Sequence, residues 1–169
     1  MSRGGTGAFT LIEVLMVVAI MGVIGAIVVP HMLHPGTLTI QAAPRIIIAD
    51  IIYAQNEAIA QQANRRVVFE PTLNRYRLID ANGTTLGVSW KAGGASSNNY
   101  VVDFSTDSRF SGVVIDSVNF GGATPTILEF DDMGAPLSGG TIELGFKNTR
   151  YRVEVTPFTG RVTVAPVAP

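Results

Sequence analysis

The residue types that do acid, base or nucleophilic work are thinly supplied in this chain. There is no Cys, which excludes disulfides, thiolate zinc sites and Cys nucleophiles. The only two histidines, His31 and His34, lie beside prolines just past a long apolar run. They read as a solvated interfacial pair, because a metal site needs more donors than these. No nucleophile–His–acid set is plausible in the polar part of the chain, which holds no His. Asp131-Asp132 could ligate calcium with nearby carbonyls, yet adjacent acids at a strand exit are more often solvated caps. Gly121-Gly122 and Gly139-Gly140 lack the strand, helix and Lys context of a phosphate loop and read as turns. One carboxylate stands apart. Glu13 sits inside the front of an apolar run, where a charge costs roughly 2.5–3.5 kcal/mol on insertion scales and usually has a partner.

The element that must position Glu13 is a helix. From Val14 to Pro44, 31 residues, there is no Asp, Glu, Lys or Arg. Phe9–Val29 is long enough to cross a bilayer at about 1.5 Å per residue. Arg3 and the amino terminus would stay in the cytoplasm and the C-terminal part would lie outside. An ordinary signal peptide would be basic, then purely apolar, then small at a cleavage site, with no acid in its apolar run. Ala19, Gly22 and Ala26 fall on one face, with Gly25 beside them, and small residues let apolar helices approach closely in a membrane.

The segment Gly7-Ala8-Phe9-Thr10-Leu11-Ile12-Glu13-Val14-Leu15 resembles the processing and assembly motif of type IV pilins and pseudopilins, commonly G-F-T-L-I-E. The resemblance implies that a prepilin peptidase cleaves between Ala8 and Phe9 and that the new Phe9 amine is methylated. Ala8 departs from the pattern, which nearly always has Gly there. Pro30 falls where many pilins have a helix-bending proline. The resemblance also implies a partner for Glu13. Cleavage creates an α-amino cation, of unperturbed pKa ~7.7–8.0, which the carboxylate can pair with in its own helix or in a neighbouring subunit. Pairing offsets part of the desolvation of both.

Taken whole, 169 residues with 15% charged, 18 Gly and nine Pro suit one β-rich domain with one appended segment. His34-Pro35-Gly36-Thr37 should interrupt the helix, making 35–42 a linker. A second helix is expected over 43–64, with Pro44 in its first turn. Its apolar arc holds Ile47, Ile48, Ile51, Ile52, Ala58 and Ile59. Asp50, Asn56, Glu57, Gln61 and Asn64 take the other side. Gln55 and Gln62 intrude on the arc, either as amides that hydrogen-bond to the sheet it covers or as a subunit contact. The first reading is favoured, because buried amides generally find backbone partners.

Short alternating strands follow over 66–164. A hairpin joins Val67–Phe69 to Tyr76–Ile79 across Pro71–Asn74. Asn82-Gly83 is a turn leading to Thr85–Trp90, and Gly93–Asn99 is a loop. Further strands are expected at Val101–Phe104, Val113–Phe120, Ile127–Phe130, around Ile142–Phe146 and Tyr151–Val155, and at Arg161–Val164. Arg75 with Arg77, and Arg150 with Arg152, put paired cations on strand faces, and Arg161 follows a turn. A nucleic-acid patch of Arg150, Arg152 and Arg161 competes with a solvated face. The balance of 12 Lys and Arg against 13 Asp and Glu favours the latter.

In layout this head is similar to minor pseudopilins of the GspH type, found in type II secretion, and to their relatives among minor pilins. The similarity rests on Tyr53–Ile59, on a Phe-x-x-x-Gly turn at Phe130–Gly134, and on Thr159-Gly160-Arg161-Val162 opening the last strand.

The expectation is therefore an α+β subunit. Residues 1–8 are a leader, 9–34 a membrane and filament-core helix, 35–42 a linker, and 43–169 a periplasmic antiparallel β head carrying the second helix. The subunit is single-pass in the bacterial inner membrane, structural and not enzymatic, without cofactor, metal or small-molecule substrate. It joins a type II secretion pseudopilus near its tip, with other pseudopilins and the prepilin peptidase as partners and nucleic acid not expected among them. The alternatives are a minor pilin of a type IV pilus or DNA-uptake machine and, in another class, an anchored or secreted periplasmic binding domain.

Overall fold

The computed structural model describes residues 10–32, 35–88 and 99–167, with side chains described at 10–24 and, within those ranges, from 41 onward. The chain divides into two compact units, Met1–Pro35 and Gly36–Pro169. The first holds α1, Leu11–Met32, which continues through Pro30. Thr10 opens it: its Oγ1 accepts from the Glu13 amide at 3.4 Å, the side-chain cap of a helix start. Every described side chain from Thr10 to Ile24 is exposed. Among the described side chains, which on α1 end at Ile24, no helix is long and apolar enough to cross a membrane.

Helix α2 spans Pro35–Gln61, so it begins at Pro35, and the segment 35–42 expected as a linker is helical. Proline as the first residue gives up no helical N–H. The helix then runs through Pro44, forgoing the one hydrogen bond that the Ile40 carbonyl would accept. Its C-terminus comes at Gln61, before the expected Asn64. Gln62 takes the left-handed conformation at φ 48. The Ala63 amide donates to Ala58 O at 3.2 Å and the Gln62 amide to Ile59 O at 3.3 Å, closing a Schellman motif. Gln62 therefore ends the helix and does not belong to its buried arc.

The buried face of α2 is Ala43, Pro44, Ile47, Asp50, Ile51, Ala54 and Ala58. Two expectations are corrected there. Ile52 and Ile59 are about half exposed, because the covered arc is narrower than the apolar one. Asp50, expected on the polar side, is buried. It stands three residues after Ile47 and four before Ala54, so the helical period carries it inward whatever its charge.

The strands are antiparallel throughout and form two four-stranded sheets. The first has the order β3-β2-β1-β5, with β1 Arg65–Glu70, β2 Arg75–Asp80, β3 Val101–Asp103 and β5 Ile127–Phe130. The second has the order β4-β6-β7-β8, with β4 Val114–Asn119, β6 Gly140–Phe146, β7 Thr149–Val155 and β8 Val162–Val167. The β1–β2 hairpin turns through Pro71–Leu73 and Asn74, as expected. Where Thr85–Trp90 was expected as a strand, the described residues make only the bridges Ile79↔Thr85 and Gly87↔Asn99. Ser89 and Trp90 lie outside the described residues, as does Gly93–Asn98.

Both sheets and α2 share one core. Phe69 of β1 stacks on Phe120, just past β4, at 5.8 Å between ring centroids. Asn74 joins the sheets by hydrogen bonds. Its Nδ2 donates to Val113 O at 2.7 Å and its Oδ1 accepts from the Ile115 amide at 2.9 Å. Asn74 sits at φ 51, a conformation that Asn tolerates better than most residues.

Candidate assembly and binding sites

The residues expected to carry assembly lie on α1. Glu13 is in its first turn and is exposed. Thr10 and Glu13 have the spacing of a capping box, in which Thr10 Oγ1 accepts from the Glu13 amide. Ala19 and Gly22 are exposed on one face, and a Cβ at Gly22 would meet nothing within 4 Å. The Ala26 position is helical, but its side chain lies outside the described residues, as do Ala8 and Phe9 with the expected cleavage bond.

The arginines expected as a candidate nucleic-acid patch are largely matched by acids. Arg152 donates to Glu143 Oε1 through Nε at 3.1 Å and Nη2 at 2.7 Å. That pairing holds the Glu143 carboxyl below the usual range. Arg150 Nε lies 3.4 Å from Asp116 Oδ2. Arg75 and Arg77 share Glu70; Arg77 Nε is 3.3 Å from Glu70 Oε1, an ion-pair distance without hydrogen-bond alignment. Arg161 is exposed and makes no ion pair among the described residues. Asp131 acts as a turn former: its Oδ1 accepts from the amides of Met133 at 3.0 Å and Ala135 at 2.7 Å. Among the described residues no group of three or more His, Asp or Glu could hold a metal ion.

Two polar centres hold α2 to the sheets. At the first, buried Asp50 accepts from Tyr76 Oη at 2.6 Å and from Tyr100 Oη at 2.5 Å. Tyr53 stacks on Tyr100, with ring centroids 5.3 Å apart. Burial, the hydrogen bonds to Asp50 and its charge push both Tyr76 and Tyr100 well above the ordinary tyrosine range. Sequence reasoning missed this centre because its members are 26 and 50 residues from Asp50. The helical period alone could have placed the carboxylate inward.

At the second centre Gln55 Nε2 donates to Gly134 O at 2.7 Å, a backbone bond made to the turn after β5 where one to the sheet was expected. Gly134 takes φ 80, and a Cβ there would lie 2.7 Å from the Ile59 side chain. Gly160 takes φ 65, and its Cβ would lie 2.9 Å from Gln55 Nε2. The three head segments Tyr53–Ile59, Phe130–Gly134 and Thr159–Val162, far apart in sequence, thus meet around one side chain. A family model described as "Type II transport protein GspH" matches residues 45–160, which takes in the first two segments and Thr159-Gly160 of the third. The chain belongs to the GspH family.

Solved structures agree on the fold. The minor pseudopilin EpsH from the Type 2 Secretion System of Vibrio cholerae superposes with a TM-score of 0.52 at 14% identity, over 75% of this chain and 96% of that one. A second structure of EpsH gives 0.52 at 13% identity, over 78% and 96%. The type IV minor pilin FimU of Pseudomonas aeruginosa gives 0.50 at 14% identity, over 75% and 88%. No curated protein matches the sequence significantly. The α+β, pilin-like architecture of these structures is therefore the architecture of this chain, and the type II transport description of the GspH family comes with the family match.

Proposed function

We propose that this GspH-family chain is a structural subunit of the periplasmic type II secretion pseudopilus, placed near its tip and supporting protein export. It is made with a leader at 1–8, cleaved before Phe9 by a prepilin peptidase, and held in the inner membrane by the helix that follows until it is assembled. The observation that carries the reading is α1 itself. A single carboxylate in the first turn is followed by side chains that are apolar and exposed along Val14–Ile24. Such a surface is stable only against lipid or other apolar helices. Its lone acid calls for a cation, and a freed Phe9 amine supplies one. The reading is structural, not enzymatic, and names no cofactor or small-molecule substrate. The FimU likeness extends the fold to minor pilins of type IV pili, whereas the family description is of type II transport.

The experiment is Glu13→Val in a host with an active peptidase. Membrane insertion survives, because a desolvation cost is removed, while co-purification with partner pseudopilins and secretion both fall. Normal assembly of the variant, or a wild-type mass with Met1 intact, would overturn the proposal.

A further inference from the structure

Asn82-Gly83 is the one Asn-Gly pair in the sequence, and it stands in an exposed turn between β2 and the bridge residue Thr85. The pairing matters chemically. A backbone amide nitrogen can attack the carboxamide carbon of the asparagine before it, and a side chain on the attacking residue obstructs the approach. Gly83 has none, and even a Cβ built there would meet nothing within 4 Å. Its φ of 85 is one that glycine adopts freely. Among the described residues no group holds the Asn82 carboxamide. What restrains the pair is Asp80. Its carbonyl accepts from the Gly83 amide at 3.1 Å, which occupies the attacking nitrogen. Its Oδ1 accepts from the amides of Asn82 at 2.9 Å and Thr84 at 2.8 Å. Its own amide donates to Thr84 O at 2.9 Å.

We propose that Asn82 is a site of spontaneous covalent modification, deamidation through a succinimide, and that Asp80 sets its rate. The Gly83 nitrogen loses its proton to hydroxide and bonds to Asn82 Cγ. The carboxamide nitrogen leaves as ammonia, and a cyclic imide remains. Water then opens the imide at either carbonyl. The product is aspartate, or isoaspartate in which the backbone runs through the former side chain. The sum is one water consumed and one ammonia released. Either product puts a new carboxylate two residues from that of Asp80, and isoaspartate also lengthens the turn by a methylene. The turn must open before the nitrogen is free, so each hydrogen bond to Asp80 slows the reaction.

The test incubates the full chain, purified in detergent, at mildly alkaline pH. Mass spectrometry follows residue 82, reading the exchange of NH2 for OH and the isoaspartate linkage. The same chain unfolded in guanidinium chloride sets the unrestrained rate. The expected result is conversion at residue 82 and not at Asn56, Asn64, Asn74, Asn119 or Asn148, slower in the folded chain than in the unfolded one. Asp80→Ala should speed conversion of the folded chain about tenfold, because two side-chain hydrogen bonds are gone. Asp80→Asn keeps an accepting oxygen and should stay near the wild-type rate. Asn82 still intact in the folded chain after about ten half-lives of the unfolded one would overturn the site. Equal rates for wild type and Asp80→Ala would overturn the role of Asp80, as would Asp80→Asn converting as fast as Asp80→Ala.

Discussion

Gln55 on α2 and Gly134, 79 residues further along the chain, are joined by a 2.7 Å hydrogen bond from the side-chain amide to the backbone carbonyl. The bond fixes a turn whose backbone already demands glycine, and it does so from the helix side. Because Gly160 abuts the same amide, the helix reads the position of both turns through one residue.

Gln55→Ala should destabilise the head by about 1–2 kcal/mol, the cost of one lost hydrogen bond and the carbonyl it leaves part-buried. Gly134→Ala should cost more, because it adds a Cβ at φ 80 and drives it into Ile59. Urea denaturation of the two variants checks the order. A Gly134→Ala loss equal to or below that of Gln55→Ala would show that the turn relaxes freely.

Asp50→Ala should be among the most damaging changes in α2, at about 2–5 kcal/mol, since it strands two buried tyrosine hydroxyls. Asp50→Asn should be much milder. Its carbonyl can accept from one phenol while its amide donates to the other. Equal losses for the two variants would mean that the pocket responds to the charge and not to the paired hydrogen bonds.

Alkaline pH should weaken the head through the same centre. Tyr76 and Tyr100 have folded-state pKa values above the ordinary 10.0, so the native protein holds their protons after the unfolded chain has released them. Their contribution is complete below pH 10.0 and is lost as pH rises from there towards the folded values. The denaturation midpoint should fall as pH rises above about 10. The double variant Tyr76→Phe, Tyr100→Phe should show a shallower fall over that window, from a lower starting stability. An unchanged slope would exclude these two phenols as its source.

DNA binding should be weak and strongly salt-dependent. Two of the three candidate arginines already face acids, Arg150 with Asp116 and Arg152 with Glu143, which leaves few cations to neutralise phosphates. Fluorescence anisotropy at ~0.15 M salt should give a Kd no tighter than about 1 μM. Submicromolar affinity lost on replacing Arg150, Arg152 and Arg161 would favour a DNA-uptake pilin.

What could be read from the sequence was local or periodic. The β1–β2 hairpin, β5 and the β6–β7 pair follow from alternation and turn residues close in the chain. The division into two sheets could not be read that way. β1 pairs with β5 across the whole of β3 and β4, a choice made by tertiary packing. The role of Asp50 was hidden by a chemical rule: a lone acid on a helix is assigned to solvent unless its partners are known. Here the partners are tyrosines, whose aromatic bodies read as core and whose hydroxyls go uncounted. The helix start at Pro35 was misjudged because proline is a breaker in the interior of a helix and harmless at its first turn. Of the candidate site, the helical placement of Glu13 and the Gln55 backbone bond were legible. The partner of that bond was not, since the Gly134 turn lies 79 residues further along the chain.

Asp50 also bears on the chain before it has folded. A ribosome adds residues from the N-terminus at about 5–20 per second, so α2 is complete well before Tyr100 or Gly134 exists to cover it. During that interval Ile46-Ile47-Ile48 and Ile51-Ile52 form an uncovered apolar segment soon after a longer one. A carboxylate at its centre adds roughly 2.5–3.5 kcal/mol to the cost of insertion into a bilayer. The carboxylate that later clamps two tyrosines in the core therefore raises, while α2 is still uncovered, the cost of drawing that helix into a bilayer.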